Sequence, residues 1–135
     1  MKKIPESMKV ELQSWNNGKG IELEAWTMCS GNFSLAVGYA AFFCPNFVEV
    51  EGYIIQCDPE DVDEQTINNI KSFESQHHST KKIVEWVINH FHITDIQYLG
   101  CEDVAIDKII FLGETLKDIY QARLHYLFPD KPCIV

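Results

Sequence analysis

The sequence predicts a helix-dominated α+β fold of about four to five helices with a small antiparallel β element. The 135 residues, 46% of them hydrophobic, fit a single globular domain spanning 1–135. Apolar residues recur at intervals of three and four in several segments, as on one face of an α-helix. One segment instead has strand character, which places a β-strand near 48–56, with 132–135 as a candidate partner strand.

The N-terminal stretch allows two interpretations. Residues 8–16, "MKVELQSWN", and 21–26, "IELEAW", alternate apolar and polar side chains, which is typical of a β-hairpin. Residues 16–20, "NNGKG", form a turn by composition. Because Glu, Leu, Ala and Met are good helix formers, the composition favours two short helices around this turn. The hairpin alternative stays open at this level.

Residues 31–43, "GNFSLAVGYAAFF", predict a helix, with Phe33, Val37 and Ala40 at helical spacing. The segment is apolar nearly all round, so we expect this helix to lie centrally in the core. Pro45 ends it, because proline lacks the N–H that a helix interior requires.

The strand signal is densest in residues 47–57, "FVEVEGYIIQC". Val48 and Val50 alternate with Glu49 and Glu51, and β-branched and aromatic residues follow. This segment is therefore the best strand candidate in the chain.

The next helix is predicted to begin at Asp58, a good N-cap, with Pro59 at its first position and acidic residues in its first turn. Its buried stripe consists of Val62, Ile67, Ile70 and Phe73. Ser79 or Thr80 can cap a further helix that runs to about Phe91, with Val84, Val87 and Ile88 on its apolar face. A long helix from about residue 103 to 128 completes the elements, and Pro129 ends it.

The formal net charge of −9 is concentrated in one part of the chain. Residues 20–70 carry nine acidic side chains and no Lys or Arg, whereas eleven acidic and eleven basic residues balance elsewhere. This distribution disfavours nucleic acids and anionic membranes as partners and favours a basic protein. No apolar run approaches the ~20 residues that span a bilayer.

The leading functional interpretation is a non-enzymatic, protein-binding domain that presents an acidic surface to a basic partner. Small immunity and inhibitor proteins work in this way, although the likeness is one of charge and size alone. The spacing of the acidic run does not fit a calcium-binding EF-hand loop. The candidate partner-binding residues are Glu49, Glu51, Asp58, Glu60, Asp61, Asp63 and Glu64.

The alternative is a small enzyme or ligand-binding domain that uses a cluster of histidines and carboxylates. Its candidate residues are His77, His78, Glu85, His90 and Asp95. On a helix, His90 and His92 would point about 200° apart and could not chelate one ion. We therefore expect no metal and no cofactor, and we expect His90 to lie beside Trp86, one turn earlier.

The sequence carries no motif of nucleophilic catalysis or of phosphate binding, so no catalytic residue is assigned. The five cysteines are odd in number and widely spread, without a C-x-x-C pair. We expect them to be buried, reduced thiols in a cytoplasmic protein. The basic start of the chain lacks the apolar stretch of a signal peptide. The oligomeric state is left open.

Overall fold

The computed structural model describes residues 3–77 and 80–135. Within these ranges the chain forms six α-helices and one two-stranded antiparallel sheet, which confirms the helix-dominated α+β class. In chain order the elements are α1 (Glu6–Gly18), α2 (Leu23–Ser30), α3 (Phe33–Phe43), β1 (Phe47–Val50), β2 (Tyr53–Gln56), α4 (Glu64–His77), α5 (Lys81–Ile88) and α6 (Ile106–Leu127). The predicted number of four to five helices is wrong because both candidate helices of the N-terminal stretch form.

Helices rather than a hairpin occupy the N-terminal stretch. The helical conformation of α1 breaks at Trp15, and Asn16 and Asn17 take left-handed backbone angles, with φ of 55° and 57°. Asparagine tolerates this region better than most residues, which explains the turn. The Gln13 side-chain amide donates a hydrogen bond of 2.8 Å to the Gly18 carbonyl and closes it.

Helix α1 is tied to the start of α6. The Ser7 backbone N–H and hydroxyl donate to the two oxygens of Asp107, at 2.9 and 2.6 Å. These two bonds hold the pKa of Asp107 below its usual range. The N-terminal helix is therefore anchored to an element 100 residues away in the chain.

The predicted single strand over 48–56 is wrong, because the segment folds back on itself as a hairpin of β1 and β2. The turn consists of Glu51 and Gly52, whose φ angles of 52° and 84° are both positive. Such angles are typical of the tight two-residue turns whose twist matches that of paired strands. Glycine at the second position permits the turn within a segment that otherwise has strand character throughout.

Side chains of α5 cover the outer edge of β2. The Ile54 N–H donates to Glu85 Oε1 at 2.7 Å. The Gln56 N–H donates to Asn89 Oδ1 at 2.8 Å, and Asn89 Nδ2 donates to the Ile54 carbonyl at 2.9 Å. One carboxylate and one amide thus satisfy backbone groups that a third strand would otherwise pair with.

The prediction of a partner strand at 132–135 is wrong, since the described C-terminal residues include no strand. The backbone of this C-terminal segment instead forms hydrogen bonds with the side-chain amide of Gln121 in α6. Its Nε2 donates to the Cys133 carbonyl at 2.6 Å, and its Oε1 accepts from the Val135 N–H at 3.1 Å. Pro132 has no N–H to contribute to a ladder, which also disfavours a strand.

The main core lies between the hairpin and helices α4 and α5. Its buried members are Val50, Tyr53, Ile55, Ile70 and Val84. Ile70 and Val84, which are 1% and 0% exposed, confirm the apolar stripes predicted for their helices. Helix α6 buries Leu116, Tyr120 and Leu124.

Helix α4 begins at Glu64, so the prediction of a helix start at Asp58 is wrong. A short 3₁₀ turn over Pro59–Asp61 comes first. The carboxylate of Asp63 accepts hydrogen bonds of 2.8 Å from both the backbone N–H and the hydroxyl of Thr66. Asp63 is therefore the residue that caps the helix, because its side chain reaches the free N–H groups of the first turn.

The prediction of a central, buried α3 is also wrong. Residues 31–41 are all exposed, and Phe33 and Val37 are 92% and 73% exposed. Near its C-terminal end, the Phe42 carbonyl accepts a 2.7 Å hydrogen bond from the Tyr120 hydroxyl of α6. Amphipathic helices α4 and α5 already cover the hairpin, which leaves most of α3 on the surface.

Candidate functional site

The structure exposes all seven carboxylates predicted to bind a partner. It divides them into two groups, because β2 lies between them and is about 13 Å long. Glu49 and Glu51 belong to the hairpin on the side of its turn, whereas the other five lie in residues 58–64, between β2 and the first residue of α4. The seven carboxylates therefore belong to two different parts of the fold, the hairpin and the segment before α4.

Glu49 is neutralised within the chain. Its carboxylate forms an ion pair with Lys131 of the C-terminal segment. A hydrogen bond from Lys131 lowers the pKa of Glu49, so the carboxylate stays charged and paired. Its role in the structure is to fasten the C-terminal segment to β1.

Asp63 also has an internal role. Its hydrogen bonds from Thr66, first from the backbone N–H and then from the hydroxyl, hold its pKa below the usual range. This carboxylate is committed to the start of α4. Asp58 and Asp61 are the members of the group that border a cleft.

The cleft has a volume of about 310 Å³ and lies between the C-terminal end of α3 and the loop that follows β2. Its lining includes Ala41, Cys44, Asn46, Gln56, Asp58 and Asp61. The last carbonyl groups of a helix carry partial negative charge, so the α3 end and the two carboxylates attract the same kind of ligand. The arrangement favours a cation.

A hydrogen-bonded chain fixes one wall of this cleft. Asn46 Nδ2 donates to Asp58 Oδ1, and Asn46 Oδ1 accepts from Arg123 Nη2 at 3.1 Å. Arg123 Nη1 also lies 3.2 Å from Cys44 Sγ. Arg123 thus offsets part of the negative charge, and the side chain of Asn46 holds the Asp58 carboxylate by a hydrogen bond.

The pKa of the Cys57 thiol reflects the negative charge in the cleft. Burial, followed by the charges of Asp61 and Asp58, raises its pKa above the usual range. Both carboxylates therefore act on the same small volume, and the thiol stays protonated at neutral pH. This is the opposite of an activated, nucleophilic cysteine.

Sequence reasoning missed Asn46 and Arg123. They lie 77 residues apart, and neither belongs to a motif. The pairing arises because α6 packs against the C-terminal end of α3, and nothing in the local pattern indicates it. Asp58 and Asp61 were identified from charge alone.

His90 and His92 lie close together, so the prediction that they point apart is wrong. Helix α5 ends at Ile88, and Asn89, the residue after it, is held by the edge of β2. His90 and His92 therefore lie beyond the helix, with ring centroids 4.7 Å apart in an edge-to-face arrangement. The predicted contact of His90 with Trp86 is confirmed, at 5.6 Å between centroids.

Glu85 and Asp95, two other residues of the alternative site, do not form a metal-binding group with this pair. Glu85 accepts from the Ile54 N–H and lies 3.8 Å from Lys81 Nζ. Asp95 is exposed in a 3₁₀ turn. His78 and the side chain of His77 lie outside the described residues. In the part of the chain that the structure describes, no group of three or more His, Cys, Asp or Glu side chains could hold a metal ion.

The expectation that the cysteines are buried is wrong. Cys29 and Cys44 are exposed, and Cys57, Cys101 and Cys133 are partly exposed. All five are free thiols in the structure. Cys29 is exposed because it belongs to α2, and Cys44 is exposed because it directly follows α3. Both helices lie at the surface.

Comparison with protein-family models, with curated proteins and with solved structures finds no match. Among the described residues, every helix is too short or too polar to cross a membrane. The geometry of the cleft is therefore the main indication of function.

Proposed function

We propose that the protein is a non-enzymatic binding protein whose cleft takes a Lys or Arg side chain from a basic partner protein. The observation that supports this proposal best is the convergence of Asp58, Asp61 and the C-terminal end of α3 on one cleft of about 310 Å³. A volume of this size is at the lower end of ligand pockets. It suits one long side chain better than a large cofactor.

The surrounding charge favours the same partner. The exposed carboxylates of residues 58–64 form no ion pair with any other described residue, so the surface beside the cleft is negatively charged although Arg123 offsets part of that charge. Such a field accelerates the encounter with a basic protein and slows that with an acidic one. An immunity- or inhibitor-like role, in which a small acidic protein covers a basic one, is consistent with this surface.

The experiment uses a hexa-arginine peptide as the probe and measures its dissociation constant by calorimetry. Replacing Asp58 and Asp61 with Asn should weaken binding roughly 2- to 30-fold, since exposed ion pairs contribute about 0.2–1 kcal/mol each. The control variant replaces Glu24 and Glu102, which are exposed and lie outside the cleft, with Gln. It changes the net charge equally and should alter the constant by less than about twofold.

Equal weakening by the two double variants would overturn the proposal, because it would show that only net charge matters. A second readout is the dependence on salt. Binding by the natural chain should decrease steeply as salt increases, and the cleft variant should lose part of this dependence. A hexa-glutamate peptide that binds as tightly as hexa-arginine would also contradict the proposal.

A further inference from the structure

A second cavity borders α3 on the side away from the cleft. It has a volume of about 270 Å³ and lies between the C-terminal half of α3, the 3₁₀ turn Ile93–Ile96 and the first turns of α6. Tyr39 and Phe43 line it and are one helical turn apart on α3. Ala41, which lines the cleft, is two residues from each of them and points about 200° away. The two cavities have no lining residue in common.

The walls of this cavity are mainly apolar. Ala105, Ile109 and Leu112 follow one another at intervals of four and three residues, so they share one face of α6. The apolar lining residues, all of them half-buried, are Phe43, Ile93, Ile96, Ala105, Ile109 and Leu112. Small-molecule sites are typically concave and lined in this way by apolar side chains with a few polar groups.

Packing and an ion pair hold the walls together. A Cβ atom built on Gly113 of α6 would lie 3.6 Å from Cγ1 of Ile93, which places the 3₁₀ turn directly against the helix. Lys108 Nζ of α6 donates to Asp103 Oδ2 at 2.6 Å and to Glu11 Oε2 of α1 at 3.3 Å. The cavity is therefore formed before a ligand arrives, which reduces the entropy lost on binding.

The charged side chains of the lining compensate each other. Among the described residues, Asp103 and Lys108 are the charged members of the lining. The hydrogen bond between them raises the pKa of Lys108 and lowers that of Asp103, so both stay charged at neutral pH. An anionic ligand would have to displace carboxylates from Lys108, and a cationic ligand would have to take Asp103 from it. An uncharged ligand leaves the pair intact.

Three polar side chains of the lining can form hydrogen bonds with such a ligand. They belong to Tyr39, Thr94 and Gln97, and none of them bonds to another described residue. The carboxamide of Gln97 both donates and accepts, so it can bind a hydroxyl or an N–H group. The aromatic rings of Tyr39 and Phe43 favour a ligand that itself contains a ring.

We propose that this cavity binds an uncharged small molecule of one or two rings that carries a hydroxyl or N–H group. Its volume of about 270 Å³ is just below the usual ~300–1,000 Å³ of ligand pockets, which limits the ligand to this size. The rings contact the apolar residues of α3 and α6, and the polar group binds Gln97. This site is separate from the binding of a basic side chain by Asp58 and Asp61.

Titration of the full chain with three indoles of different charge, followed by ligand-observed NMR, tests the proposal. Neutral indole-3-ethanol should bind with a dissociation constant between about 10 μM and 1 mM, as expected for a ligand of this size. Indole-3-acetate is an anion and tryptamine is a cation, and both carry the same ring. Each should bind in the cavity at least about fivefold more weakly, because it disturbs the pair of Asp103 and Lys108.

Variants that fill the cavity locate the binding. Ala105→Phe should weaken the binding of indole-3-ethanol at least about tenfold, because the phenyl group occupies the space of the ligand. Thr94→Trp fills the cavity from the 3₁₀ turn and should have the same effect. Ala36→Phe is the matched control, since Ala36 is exposed on α3 and lies outside the lining. It should change the dissociation constant by less than about twofold, and circular dichroism verifies that each variant is folded.

Gln97→Ala tests the polar contact. Loss of one hydrogen bond should weaken the binding of indole-3-ethanol roughly 2- to 10-fold. Gln65→Ala is the matched control, because Gln65 is exposed on α4 and does not line the cavity. It should leave the dissociation constant unchanged.

Three outcomes would contradict the proposal. The natural chain could bind none of the three indoles at concentrations up to about 5 mM. Ala105→Phe and Thr94→Trp could both stay folded and bind indole-3-ethanol as tightly as the natural chain. Finally, one of the charged indoles could bind more tightly than indole-3-ethanol and lose this binding in both variants. None of the variants alters Asp58 or Asp61, so the hexa-arginine measurement distinguishes failure here from failure of the cleft proposal.

Discussion

The hairpin Phe47–Gln56 and helix α3 follow each other in the chain and are both rich in apolar residues, but their surroundings differ. In the hairpin, Tyr53 and Ile55 are 7% and 2% exposed. In α3, Phe33 and Val37 are 92% and 73% exposed. Apolar composition is therefore shared by the two regions, whereas burial belongs to one of them.

The two regions differ in the contacts that other elements make with them. The hairpin has an unpaired backbone edge, which Glu85 of α5 and the following residue Asn89 satisfy, and a face that amphipathic helices cover. The interior of a helix satisfies its own backbone, so α3 needs such a partner only near its C-terminal end, where the Tyr120 hydroxyl binds the Phe42 carbonyl. Its almost uniformly apolar pattern also defines no polar side to turn toward water. Amphipathicity and unsatisfied backbone groups, more than hydrophobicity, place a segment in this core.

Truncation of one apolar side chain in each region gives the largest expected contrast. Ile70→Ala in α4 removes a side chain that is 1% exposed and should lower the free energy of unfolding by about 2–5 kcal/mol. Val37→Ala in α3 should change it by about 0.5 kcal/mol or less, because the side chain is already in water. Urea denaturation measures both. Comparable losses would mean that α3 is buried in the folded protein.

The next effect concerns the edge of β2. Asn89→Ala leaves the Ile54 carbonyl and the Gln56 N–H without their partner and should cost about 1–3 kcal/mol. Asn68→Ala is the matched control, because Asn68 is exposed on α4. We expect it to be neutral within about 0.5 kcal/mol, as measured by the same denaturation. Equal effects would show that water can replace the amide at this edge.

The smallest effect concerns pH. The folded-state pKa of Asp63 is lowered by its bonds from Thr66, so the charged form is favoured in the folded state. Its contribution to stability is complete above the usual carboxyl pKa of 3.8 and is lost as the pH decreases through the lower folded value. Asp63→Asn retains an N-cap and should remove this part of the acid dependence. Asp63→Ala should destabilise the protein at neutral pH as well.

Thermal unfolding of the three proteins between about pH 2 and 7 separates these cases. The natural chain and Asp63→Asn should differ most at neutral pH and converge in acid. Parallel curves for the natural chain and Asp63→Asn would show that the Asp63 charge does not stabilise the start of α4. The hairpin–α3 contrast would be unaffected, since this carboxylate acts on α4 alone.

Much of the fold class followed from local pattern, whereas the partner-binding residues stay a prediction. The stripes containing Ile70 and Val84 were predicted because a buried helical face repeats at a fixed interval. Asp58 and Asp61 were identified because charge is visible in composition. His90 and His92 were misjudged because their geometry depends on where α5 ends, and Asn89, which is drawn to the edge of β2, lies at that end.

The sequence by itself determined the helix-dominated class, the asparagine- and glycine-rich turn at the C-terminal end of α1, the amphipathic faces of α4 and α5, and the uneven charge. These properties depend on residues a few positions apart, where propensity and period act. The tertiary structure alone decided that α3 lies on the surface, that Gln121 holds the C-terminal segment, and that Arg123 reaches Asn46 beside the cleft. Each of these features depends on contacts between residues that are far apart in the chain. No local sequence pattern specifies which of these contacts form.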